Sequence, residues 1–272
     1  MFALGAGCAG RASAPAPAGA AAPANLPAAP SCCAVVELRQ YTLRPGKRDV
    51  LIDLFDREFI EGQEDAGATV IGQFRDLDHP DRFVWLRGFR DMPSRGETLK
   101  TFYGGPIWKE HREAANATML DSDNVLLLRP ARPGSAFSLE SRHRAPLGAQ
   151  EAPDGLVLAT LYYFDAPATA DFVAFFERTL APAATEAGAS VLASFVTEAS
   201  ANNFPALPVR EGEHVFVWFS LFQSPEKYQD YVAALSRSPR WRNEVSPALA
   251  HQLKGAPEVH RLTPTARSAL HG

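Results

Sequence analysis

Between Val35 and Leu43 the side chains alternate, with Val36, Leu38, Gln40 and Thr42 on one face and Glu37, Arg39, Tyr41 and Leu43 on the other. That is the period of a strand. Leu51, Leu54, Phe55 and Phe59 then follow i, i+3, i+4, i+8, the buried stripe of an amphipathic helix. A long helix is predicted over 47–66, with Gly67 as its left-handed cap. Next come two hairpin-linked strands over 69–76 and 82–89, a broken helical stretch over 93–119, and a strand over 125–129.

The same pattern then returns. The segment from Glu64 to Phe74 recurs from Thr185 to Phe195, 121 residues on. At that spacing Leu51, Leu54, Phe55 and Phe59 fall on Phe172, Phe175, Phe176 and Leu180, and Tyr41 falls on Tyr162. Downstream, Phe83-Val84-Trp85 recurs as Phe216-Val217-Trp218, and Pro106 and Trp108 recur as Pro239 and Trp241, now 133 residues on. The difference places a 12-residue insertion around Ser200 to Glu211 of the second copy. Pro182 is expected to break the second copy's first helix, over 169–187.

Two β-α-β-β-α-β copies predict an α+β fold, two ferredoxin-like units packed sheet to sheet as an intrachain α/β barrel. The organisation read from the chain is an Ala/Pro-rich tether or remnant export signal over 1–33, a first domain over 34–132 and a linker over 133–154. A second, divergent domain spans 155–266, and 267–272 is a tail. The aliphatic faces of the strands are expected under the helices. The faces carrying aromatic and charged residues are expected to meet in the barrel interior. This makes Glu37, Arg39, Tyr41, Trp85, Arg87, Tyr162 and Trp218 the candidate ligand-binding residues.

Composition narrows the function. The net charge of −4 is spread over both signs, which argues against nucleic acid as a partner. No apolar run reaches the roughly 20 residues of a membrane span. The cysteines, Cys8, Cys32 and Cys33, all precede the first strand, and no histidines pair at metal-ligand spacing, so no metal and no cofactor are expected. His111, on the helix after Trp108, reads as a surface residue. Gly5 to Gly10 match G-x-G-x-x-G without the strand that motif needs. Met1 to Cys8, followed by the Ala/Pro tether, lean toward an exported or periplasmic lipoprotein.

The run Val36-Glu37-Leu38-Arg39-Gln40-Tyr41-Thr42-Leu43-Arg44-Pro45-Gly46, with the long helix after it, resembles the opening of a NIPSNAP domain. Phe83-Val84-Trp85-Leu86-Arg87-Gly88-Phe89 and Gly105-Pro106-Ile107-Trp108 resemble its later segments. The resemblance implies the dimeric α/β-barrel superfamily, which includes cofactor-independent monooxygenases, isomerases and haem enzymes; the NIPSNAP branch has no settled reaction. The expectation is therefore a protein that binds a small ring-containing or anionic molecule inside the barrel. One alternative is an envelope-tethered interaction module. The other is a cofactor-independent monooxygenase or isomerase, with Tyr41, Trp85 and Arg39 binding an activated phenol and stabilising its enolate.

Overall fold

The computed structural model describes residues 1–2, 33–139 and 143–272, so the tether and export signal read over 1–33 fall almost wholly outside the described residues. The strands are β1 (Val35–Leu43), β2 (Thr69–Asp76), β3 (Arg82–Phe89), β4 (Met119–Asp121), β5 (Val125–Pro130), β6 (Leu156–Tyr163), β7 (Ser190–Thr197), β8 (Val215–Phe222) and β9 (Glu258–Pro264). In the first half they are ordered β5-β1-β3-β2, and in the second β9-β6-β8-β7. Two antiparallel seams join the halves. One pairs β2 with β9, Arg75 opposite Thr263, and the other pairs β5 with β7, Arg129 opposite Val196. Eight strands thereby close into an antiparallel barrel, and the short β4 hangs on the end of β1.

The long helices form as the apolar stripes predict, with one refinement. Arg48–Leu54 and Ile60–Asp65 are joined through a π-turn at Phe55–Phe59, and Ala170–Phe175 and Ala181–Glu186 through another at Phe176–Leu180. Pro182 does not break its helix. The π-turn runs straight into the turn that holds it, and Arg240 Nη2 donates to the carbonyl of Arg178 at 2.9 Å, one turn before the proline. Gly67 (φ +108°) and Gly188 (φ +113°) make the left-handed exits.

The expected facing of the strands is reversed. The barrel interior is filled by the aliphatic set, including Val36, Leu38, Val84 and Leu86 from one half and Val157, Leu161, Val217 and Leu262 from the other, with Phe74, Phe195 and Phe219 among them. Tyr41, Phe83 and Trp85 instead pack on Phe55, Phe59 and Phe102 beneath their own helices. Tyr162, Phe216 and Trp218 do the same in the second half. An eight-stranded barrel has room for little more than its own side chains. It takes the aliphatics and the rings of Phe74, Phe137, Phe195 and Phe219, whereas Tyr41, Trp85, Tyr162 and Trp218 lie under the helices.

Segments read as peripheral also join the core. Phe137, from the linker, is 1% exposed and packs on Phe195 and Phe219. In the C-terminal tail, Arg267, Ser268 and Leu270 are buried, and Arg267 Nε donates to the carbonyl of Ala145. Cys33 is buried against Gly88, where an added Cβ would lie 2.1 Å from the Cys33 sulfur; only glycine fits there.

Candidate functional site

The polar face of β1 places Glu37, Arg39 and Tyr41 in a row beneath the first long helix. β3 lies antiparallel beside it, with Arg87 opposite Glu37 and Trp85 opposite Arg39. Glu37 is fully buried and serves three guanidiniums. Its Oε2 accepts from Arg39 Nη1 at 2.6 Å and from Arg87 Nε at 2.7 Å, and its Oε1 accepts from Arg95 Nε at 2.7 Å. All three arginines are themselves at most 1% exposed. Burial alone would favour the neutral acid, but the positive charges of Arg87, Arg39 and Arg95 hold the Glu37 carboxyl well below the usual carboxylate range.

Other side chains fix the orientation of the guanidiniums. Arg39 Nε donates to the Tyr41 hydroxyl at 3.0 Å. Arg87 Nη1 donates to Gln63 Oε1 at 2.8 Å, and Gln63 Nε2 in turn donates to the carbonyl of Phe59. Trp85 stands between two cations, its ring centroid 5.4 Å from Arg39 Cζ and 5.0 Å from Arg87 Cζ. Such contacts contribute about 2 kcal/mol each when desolvated. Beside the cluster, Tyr41, Phe55, Gln63, Trp85, Tyr103 and Trp108 line a cavity of about 30 Å³, space for one or two waters.

The charges do not balance. One carboxylate faces three guanidiniums. The Nη2 atoms of Arg39, Arg87 and Arg95, and Nε1 of Trp85, are buried with no acceptor. Four donors without partners around an excess of positive charge are complementary in chemistry to oxygen atoms bearing negative charge. Burial presses the Arg95 guanidinium toward a lower pKa, with Glu37 opposing and the neighbouring arginines adding to the effect. Glu37 is a poor base, since three arginines hold its charge. Burial raises the Tyr41 hydroxyl above its ordinary range, which keeps it neutral. The arrangement can bind an anion or steady an enolate; it offers no group ready to remove a proton.

Of the seven residues predicted from sequence, Glu37, Arg39, Tyr41, Trp85 and Arg87 meet here. Tyr162 and Trp218 do not; they lie in the apolar helix–sheet core of the other half, with Leu158 opposite Ser220 in the register of Glu37 and Arg87. The residues that sequence reasoning missed are Arg95, Gln63 and Tyr103. Arg95 continues the stripe of Leu99 and Phe102 on the helix Met92–Gly104, and Gln63 extends the stripe of Phe55 and Phe59, so each is a polar residue at a core position. His111 is not in the cluster; its Nε2 lies 3.5 Å from Glu58 at the surface.

Solved structures share this eight-stranded antiparallel barrel with helices packed outside it. The "putative monooxygenase" of Fusobacterium nucleatum shares it (TM-score 0.53, 6% identity, 88% of this chain and 95% of that one). So does an anthrone oxidase-like protein (TM-score 0.50, 15% identity, 88% and 95%). At these identities the likeness concerns the fold alone. The NIPSNAP family model matches residues 36–133. A NIPSNAP domain protein from Burkholderia xenovorans aligns at 17% identity over 36% of this chain and 96% of its own, with a TM-score of 0.34. No curated protein matches the chain. No helix among the described residues is long and apolar enough to cross a membrane.

Proposed function

We propose that the NIPSNAP domain of this chain binds a small organic anion between its sheet and its helices, at the Arg39–Arg87–Arg95 cluster, and not inside the barrel. One observation carries the reading: three fully buried guanidiniums share a single carboxylate, and each keeps a buried nitrogen without an acceptor. Burying uncompensated charge is costly, and an anion reaching the guanidiniums would remove most of that cost; the space beside them holds only one or two waters, so entry requires neighbouring side chains to move. We further read the chain as two ferredoxin-like repeats, on the matching strand orders and on equal registers, Tyr41 opposite Phe83 and Tyr162 opposite Phe216. On this reading the second repeat closes the barrel and has exchanged the charged cluster for apolar packing. Binding is favoured over catalysis because Glu37, the only carboxylate in the cluster, is held ionised by its three partners.

The test is thermal unfolding in sodium benzoate against sodium chloride of equal ionic strength. An anion at a hundred times its Kd adds about 2.7 kcal/mol, which raises the midpoint of a protein this size by roughly 5–10 °C. Arg39→Met is expected to abolish that rise. A midpoint that ignores benzoate, sulfate and phosphate alike sinks the reading.

A further inference from the structure

The second half reaches across the molecule into this site. Its insertion leaves β7 at Thr197 and returns to β8 at Val215, and both stems are tied to the first half's β5: the Glu198 amide donates to the Leu127 carbonyl and the Arg210 amide to the Val125 carbonyl. Between them the loop extends over the helix Met92–Gly104. Arg95 Nη1 donates to Asn203 Oδ1 at 2.7 Å and to Asn202 Oδ1 at 3.1 Å. Asn203 Nδ2 donates to the carbonyl of Met92 at 2.5 Å. Phe204 stacks on Tyr103, with centroids 5.9 Å apart and planes at 27°, and the Tyr103 hydroxyl accepts from Arg87 Nη1 at 3.4 Å. Gly96 permits the approach, since a Cβ there would stand 2.8 Å from Asn203 Nδ2.

The loop therefore sets before the cluster two carbonyl oxygens on a guanidinium and, next to them, an aromatic ring on an aromatic wall. Those are the parts of an aryl carboxylate, without its charge. We infer that this insertion is a lid that holds the place of the ligand, and that the ligand is an aromatic carboxylate. On entry its carboxylate replaces the Asn202 and Asn203 oxygens on Arg95, and its ring replaces Phe204 on Tyr103. The neutral carboxamides satisfy the hydrogen bonds of Arg95 yet leave the excess positive charge in place. Only an anion supplies what they lack, so the exchange favours the ligand. Asn202, Asn203 and Phe204 thereby become specificity-determining residues given by one half to the site of the other. This inference rests on the anion-site reading above.

Phenylglyoxal, which modifies accessible arginine side chains, separates the two claims. The rate at Arg95, mapped by peptide mass, is measured against Arg57, whose side chain is 59% exposed. In Gly96→Val and in the double variant Asn202→Ala/Asn203→Ala, the rate at Arg95 is expected to rise about tenfold over the unaltered protein, as loss of the holding hydrogen bonds implies. Excess benzoate is expected to suppress it in every form. Equal rates in all forms, with benzoate still protecting, overturn the lid and leave the anion site standing. Absence of protection in any form overturns the anion site, and the place-holding role falls with it.

Discussion

Glu37 is the residue on which the first half's interior turns. Its two oxygens receive three charged hydrogen bonds at 2.6–2.7 Å. Glu37→Gln keeps its shape and removes the only negative charge in the cluster. Breaking a buried ion pair on one side costs about 3–5 kcal/mol, so urea unfolding should show a loss of that size. A loss under about 1 kcal/mol would mean that the guanidiniums do not depend on the Glu37 charge. Most of this site was legible as residues. Glu37, Arg39 and Arg87 stood out because their equivalents in the other half, Leu158, Thr160 and Ser220, are uncharged. Arg95 was not, although its equivalent Tyr228 is also uncharged, because an arginine on a helix ordinarily faces water. Its burial depends on a partner 58 residues away.

At the level of elements, periodicity located helices and strands well and left their facing open. A strand buried on both sides has two apolar sets, and alternation does not say which is inside. β1 is buried at every position but Thr42. Ring size does not settle it either, since Phe74, Phe195 and Phe219 lie in the barrel while Tyr41, Trp85, Tyr162 and Trp218 lie under the helices. The π-turns were not legible either, since an extra residue per turn leaves the apolar stripe almost unbroken. The helix exits were. Gly67 has φ +108° and a Cβ there would lie 3.1 Å from Thr98 Oγ1. Gly67→Ala should therefore cost about 1–3 kcal/mol, read as a lower denaturation midpoint with an unchanged slope. The loop between β7 and β8 shows the reverse limit. Its extra length was read from the change in spacing between the matched segments. Its landing place was not, because Asn203 meets Arg95 across 108 residues of chain.

Across the whole molecule the halves meet at the two seams, and one seam carries titratable groups. His260 of β9 sits 2% exposed, with Nδ1 3.2 Å from Asp76 Oδ2 of β2 and Nε2 2.9 Å from Glu258 Oε1. Arg82 Nη1 lies 3.4 Å from the same Asp76 oxygen, and the Tyr163 hydroxyl donates to Glu258 at 2.9 Å. Burial opposes the imidazolium, but the two carboxylates outweigh it and raise the His260 pKa. Its contribution is complete below the unfolded value near 6.5 and disappears as pH climbs through the raised folded value. Burial likewise opposes the Asp76 carboxylate, but His260 and the Asp78 amide hold its pKa down; hydrogen bonding to His260 takes Glu258 to about 2. Their contribution is complete above the unfolded values near 4 and fades as pH falls toward the lowered ones. Thermal midpoints should therefore be highest between those limits. His260→Gln should flatten the alkaline decline, and an unchanged decline would place its cause elsewhere.

The seams also govern how the chain is made. Each half ends on a strand that the other half must pair, β5 with β7 and β9 with β2, so neither sheet has both edges covered until β9 has been synthesised. As the polypeptide leaves the ribosome, Val36, Leu38, Val84 and Leu86 await a cover that β6, β7 and β8 bring and β9 completes. For that interval the newborn first half is an open, sticky sheet. Chaperone supply and translation speed should decide the yield of this protein more than the stability of its finished form.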